Sequence, residues 1–352
     1  MVYAEKYVGF YLSYLLPTTL FLIAPVVLAV CRKRYRLSPP TGSVLSKFLH
    51  MFFYAAKGHW FSWKTFTWDV ARPSNVAPAS RPSWMTYDDA WVDEVRRGII
   101  SCKVFLFLPL FHLAYNQMTG NLTSQAATME LNGVPNDLIQ NINPISIVIF
   151  IPILDHLIYP GFRKMGFNFT PIKRMCVGFF LGAFSMVAAA VTQYYIYKLA
   201  PCGKNAGDSE CIEELGSAPI NVWVQLIPYA LIGLSEIFTN VTSYEYAFSK
   251  APTNMRSLVM SVNLFMSAFA SAIGQAFTTL SADPLLVWNY TVIAILAFVG
   301  GVAFWICFRK LDKQEDAWNS IAKSAYRGKS VSGAGTDEPV VERTIEGRHE
   351  KI

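Results

Sequence analysis

The stretch Leu285–Phe308, LLVWNYTVIAILAFVGGVAFWICF, holds no charged residue, and Arg309-Lys310 follows it at once. A helix rises about 1.5 Å per residue, so roughly 20 apolar residues cross the ~30 Å hydrocarbon layer of a bilayer. A core helix of a water-soluble protein is shorter and shows a polar face on every turn. The stretch therefore reads as a membrane span. Six more blocks of the same kind precede it, at Tyr7–Val30, Ile99–Gln117, Ile142–Tyr159, Met175–Tyr197, Ile220–Ala247 and Ser257–Leu280. Pro17, Pro25, Pro109, Pro152 and Pro228 fall inside them and are tolerable where neighbouring groups satisfy the freed carbonyls. The expected fold class is all-α integral membrane, with about seven transmembrane helices.

Composition agrees. The chain has 352 residues, a length that would otherwise suggest two soluble domains, but 53% are hydrophobic and only 15% charged. Soluble domains carry about a quarter charged residues. A formal charge of +6 does not call for nucleic acid, because in a membrane protein the placement of charge matters more than its sum. Six cysteines are too few and too scattered for a disulfide scaffold, and no zinc-type C-x2-C spacing occurs. Met1–Lys6 carries Glu5 ahead of a long apolar run with a basic cluster behind it, unlike a cleaved signal peptide. There is no G-x-S-x-G, H-E-x-x-H or phosphate-cradling loop, so nothing supports an enzyme, a cofactor or a metal. His112 and His156 read as hydrogen-bonding helix residues rather than ligands.

Basic residues set the orientation. Arg32, Lys33, Arg34 and Arg36 follow the first span, and Arg163, Lys164, Lys173 and Arg174 lie between the third and fourth. Lys250 and Arg256 separate the fifth and sixth, and Arg309, Lys310 and Lys313 follow the seventh. The alternate loops differ: Met118–Asn141 has no basic residue, and Ala200–Pro219 has Lys204 against four acids. By the positive-inside rule the N-terminus is outside and the C-terminus cytosolic. The outer loops then hold the sequon Asn121-Leu122-Thr123, a candidate glycosylation site or a chance match. They also hold Cys202 and Cys211, either a disulfide pair or two thiols in a flexible loop.

The domain reading follows: 1–30 is a first transmembrane helix, 31–98 a cytosolic loop with interfacial helices, 99–312 a six-helix bundle, and 313–352 a disordered tail. Within the loop, Val44–Lys57 has the spacing of a surface-lying helix, and Arg72–Ser83, with its prolines, reads as linker. Tyr87–Arg97 places acids before bases, which suits the dipole of a short helix. Its charges read as a solvated face.

The candidate site centres on Glu236, in the run LIGLSEIF (231–238) of the fifth span. A mid-bilayer carboxylate costs a few kcal/mol and usually faces a cavity or a partner. Such a group binds a substrate cation or carries a proton. Beside it, Ser235, the cluster Tyr115-Asn116-Gln117 and the run Asn141-Ile142-Asn143-Pro144 offer polar groups that either contact a substrate or tie helices together. Glu245 reads as interfacial, and Asp155 and His156 as capping or gating residues.

Several stretches together resemble the fungal branch of the proton-dependent oligopeptide transporter family of the major facilitator superfamily. They are YVGFYLSYLLP (7–17), SPPTGSVL (38–45), DDAWVDEVRR (88–97), YNQMTG (115–120), NPISIVIFIP (143–152), SEIFTNVTSYEY (235–246) and APTNMRS (251–257). The resemblance covers nearly the whole chain to about Lys313. It implies that the first span matches helix six of twelve and that the remainder forms the C-terminal six-helix bundle. It also implies that Glu236 meets a peptide's amino terminus and that Asn143 hydrogen-bonds the peptide backbone. Two positions depart from the family pattern. His112 stands five residues before Gln117 where a Trp is common, and Asn263-Leu264 lie where helix eleven has an aromatic residue.

The function so implied is proton-coupled symport of di- and tripeptides, with the proton as coupling ion and the plasma membrane as the site. The paired glutamates and arginine of helix one and the lysine of helix four would lie in helices this chain does not contain. It is therefore expected to be a fragment that needs its N-terminal half, or a full-length relative, as partner. A seven-helix receptor and a non-transporting regulatory fragment are the alternatives. About 68 residues between the first two spans argue against the receptor plan, whose helices join closely.

Overall fold

The computed structural model describes residues 2–34, 44–56, 68–77, 80–166 and 168–311. The polar tail 313–352 and the residues 38–43 lie outside them. Among the described residues, seven helices are long and apolar enough to cross a membrane: Phe10–Val30, Asp89–Ala127, Asn136–Lys164, Pro171–Leu199, Val222–Lys250, Arg256–Ser281 and Leu286–Phe308. They are called spans one to seven below.

Two boundaries differ from expectation for local reasons. Span two begins at Asp89 rather than Ile99, because Asp88 caps it by accepting a hydrogen bond from the Trp91 amide at 3.0 Å. The acids of 88–94 thus open the membrane helix itself rather than a separate short one. Span five begins at Val222 rather than Ile220, because the chain before it is extended. There β2 (Ala218–Asn221) pairs in parallel with β1 (Met129–Glu130), Met129 opposite Ala218 and Glu130 opposite Asn221.

The connection between spans one and two is anchored where it is described. Arg72 reaches Asp69 and Asp93, each at 2.7 Å, and this pairing with carboxylates raises its already high pKa. The Tyr87 hydroxyl donates to the Ala71 carbonyl at 3.1 Å, and its burial pushes that hydroxyl's pKa up. The helix Val44–Ala56 buries Met51 and Ala55 and sets Tyr54 edge-on against Trp84. The reading of the 88–97 charges as a solvated face is corrected at Glu94. That residue is buried and accepts from Asn254 Nδ2 at 3.1 Å, a partner from the turn between spans five and six.

The bundle closes around small residues. In lipid, helices gain little from hiding apolar surface and associate by close packing. Gly178 and Gly182 bring span four against span five, where a Cβ on Gly178 would overlap Thr239 Oγ1 and approach the Ser235 carbonyl to 3.0 Å. Gly300 and Gly301 of span seven are similarly close to Leu110 and Phe179. The apolar window of span four is 61% buried, against 11% in span three and 22% in span six. Spans three and six therefore leave broad apolar faces open, with Ile145, Val148, Ile149, Leu264 and Phe265 exposed. Span one has no buried residue.

Candidate functional site

Glu236 closes the α-helical first part of span five, Leu226–Glu236, and a widened π turn, Ile237–Val241, follows directly. Such turns break the regular ladder and recur at functional sites. The carboxylate is half-buried and spans three helices by hydrogen bonds. Tyr115 Oη of span two donates to Oε1 at 3.2 Å, and Asn143 Nδ2 of span three donates to Oε2 at 3.0 Å. A carboxylate offers about four lone-pair positions, so two remain for a further donor. Asn143 is itself buried, and its Oδ1 has no hydrogen-bond partner. Carboxylate and amide oxygens together can accept from a protonated amine.

Aromatic packing and a glycine fix this geometry. The Tyr115 ring stacks on Phe111 with centroids 6.2 Å apart, and the His112 ring stands edge-on to it at 6.2 Å. His112 is buried and its Nδ1 has no partner. Gly233 lies under Asn143: a Cβ there would come within 2.8 Å of Asn143 Oδ1.

The other candidates are placed elsewhere. Asn116 turns to span six and donates to Ser271 Oγ at 3.2 Å. Gln117 Oε1 accepts from Asn121 Nδ2 at 2.6 Å and from Asn289 Nδ2 at 3.0 Å. Asn121 Nδ2, the atom a glycan would occupy, also donates to Ser281 Oγ at 3.1 Å. Ser235 is buried and donates to the Gly178 carbonyl at 2.8 Å. Asp155 and His156 are exposed in a second π turn, Leu154–Ile158. Glu245 pairs with Arg174 at 3.3 Å. Cys202 and Cys211 form a disulfide.

Sequence reasoning missed two polar groupings. Asn263 and Ser243 bond each other between spans five and six, with Asn263 Nδ2 donating at 3.1 Å. Gln225, Gln125 and Gln193 form a buried amide chain across three spans, at 3.0 and 2.8 Å. Asn263 and Gln225 are polar residues in apolar runs, and that was the available signal; Gln125 and Ser243 stand among other polar residues and carried none.

Comparison with known proteins gives a consistent result. A family model described as the POT family matches residues 1–293. The probable peptide transporter ptr2 of Schizosaccharomyces pombe is 39% identical over 318 residues, 90% of this chain and 50% of that protein. Peptide transporter PTR_C of Candidozyma auris is 39% identical over 343 residues, 97% of this chain and 57% of that one. Peptide transporter PTR2 of Saccharomyces cerevisiae is 38% identical over 323 residues, covering 90% and 50%. The chain thus spans about half the length of these curated relatives. Among solved structures, the POT family transporter PepTSo superposes with a TM-score of 0.63 at 19% identity, over 89% of this chain and 67% of that one. An auto-inhibited POT family peptide transporter gives 0.60 at 19% identity, over 87% and 66%. At that identity the likeness speaks for the fold.

Proposed function

The chain belongs to the POT family, and from that premise we propose that it supplies the amine-binding half of a proton-coupled peptide symporter. The observation that carries this reading is the Glu236 carboxylate held by Tyr115 and Asn143 at the meeting of three membrane helices. A zwitterionic peptide needs a carboxylate where its amino terminus docks, and Glu236 is a carboxylate inside an apolar span. Asn143 contributes an amide for the peptide backbone, and Asn116, Gln117 and Ser235 hold the helices in register around them. Relatives named as peptide transporters support small peptides as substrate.

Transporters of this architecture rock one bundle against another around a midplane site. The open apolar faces of spans three and six are where a second bundle of the same family would pack, supplied by an N-terminal half or by a full-length relative. The division into a first helix, Phe10–Val30, a connection that ends at the cap Asp88, and a bundle from Asp89 to Phe308 serves that arrangement. The basic end faces the cytosol, and the membrane is the plasma membrane.

Expression in a peptide-uptake-null yeast, alone and with the N-terminal bundle of a relative, tests the reading. Proton-driven dipeptide uptake is expected with the second bundle, and Glu236→Gln should abolish it while leaving membrane expression intact. Uptake that persists in E236Q would remove Glu236 from the mechanism.

A further inference from the structure

At the basic end lies a polar hollow of about 180 Å³, lined by Tyr159, Arg163, Asn168, Phe169, Thr170 and Arg174. It sits where span three ends at Lys164 and span four begins at Pro171, and it shares no residue with the Glu236 site. Arg174 is held rigidly there. Its Nε donates to the Phe169 carbonyl at 3.1 Å, its Nη1 meets Glu245 at 3.3 Å, and its guanidinium carbon stands 4.4 Å over the Tyr159 ring. Arg163 is exposed and has no acidic partner among the described residues. The Thr170 hydroxyl, on the same wall, has no hydrogen-bond partner.

The surroundings favour an anion. Lys164 and Lys173 flank the hollow, with Lys173 Nζ donating to the Asn168 carbonyl at 2.6 Å. Against these four cations stand two acids, Asp155 and Glu245, both near enough to act on Tyr159. The volume is below the ~300 Å³ at which pockets begin to hold drug-sized molecules, so the occupant is a small head group. Guanidinium forks match the tetrahedral oxygens of phosphate; the exposed Arg163 offers such a fork, and Arg174, its Nε and Nη1 already engaged, stands beside it as a second, fixed cation. Two apolar helices end here, with tyrosine and basic residues at their tips, which is the composition of the headgroup layer.

We propose that this hollow is a phosphate site, filled by the headgroup of an anionic phospholipid where the bilayer surface meets spans three and four. Glu245 competes with the ligand for Arg174. Occupancy would tie the short turn between these spans to the membrane surface.

Native mass spectrometry of the full chain in detergent tests this, after incubation with phosphatidylglycerol, phosphatidylcholine or inorganic phosphate. Phosphatidylglycerol is expected to be retained preferentially, and Arg163→Glu should weaken retention at least roughly tenfold, the value of one charge-assisted contact. The exposed Arg163 side chain makes no ion pair among the described residues, so circular dichroism should be unchanged. Glu245→Gln should strengthen retention by freeing Arg174. Phosphate bound in an Arg163-dependent way, with no preference for phosphatidylglycerol, would transfer the site from lipid to free anion. Equal retention of the two lipids without phosphate binding, or equal retention by wild type and R163E, would overturn the site.

Discussion

Replacing Gly233 by alanine strikes the candidate site through its floor. The new methyl would stand 2.8 Å from Asn143 Oδ1, 3.2 Å from the Asn143 carbonyl oxygen and 3.2 Å from Ser146 Cβ, where ordinary contacts are 3.4–4 Å. All three neighbours belong to span three and one is backbone, so rotating a side chain does not clear them. The helix must withdraw by a few tenths of an ångström. Overpacking of this kind costs about 1–3 kcal/mol. The same withdrawal stretches the 3.0 Å bond from Asn143 Nδ2 to Glu236, and a polar contact between membrane helices contributes about 0.6–2 kcal/mol. G233A should therefore destabilise the chain by about 2 kcal/mol, read from the midpoint of helix loss in a mixed-micelle SDS titration. Asn143→Ala removes the closest contact and the hydrogen bond together. In that background G233A should cost less, with a coupling of about 1 kcal/mol. Strictly additive losses, or a neutral G233A, would refute the claim that Gly233 seats Asn143 against Glu236.

Two further outcomes are expected. Gly178→Ala places a Cβ against Thr239 Oγ1 and within 3.0 Å of two span-five backbone atoms, whereas the nearest neighbours of a Cβ at Gly182 are the Ser235 hydroxyl at 3.2 Å and the Phe111 ring at 3.7 Å. The same titration should show about 3 kcal/mol lost at Gly178 and about 1 or less at Gly182, and equal losses would contradict the packing argument. The Cys202–Cys211 bridge closes nine residues of sequence, so its reduction should release about 2–3 kcal/mol of stabilisation. A membrane-impermeant phosphine on intact cells should cleave it, shown by maleimide-polymer gel shift. Protection until permeabilisation would place that end of the bundle in the cytosol.

Individual site residues were legible where they broke an apolar run. Glu236 stood out because a carboxylate inside a span has few innocent explanations. The tripeptide Tyr115-Asn116-Gln117 stood out as a cluster, yet its members separate. A helix turns about 100° per residue, so Tyr115 meets Glu236, Asn116 meets Ser271 of span six, and Gln117 meets Asn289 of span seven. Ser235 and Glu236 part in the same way. Glu94 reads as a solvated charge until Asn254, distant in sequence, arrives beside it.

The sequence by itself determined that this chain is seven membrane helices joined by alternately basic and non-basic loops. Lipid is a nearly uniform solvent in which each helix satisfies its own backbone, so length and hydropathy are sufficient for that. Only the tertiary structure decided which face of each helix meets which neighbour. When every face is apolar, no periodicity marks the inner one. The choice falls to the close approach of Gly178 and Gly233 and to hydrogen bonds whose partners come from different spans.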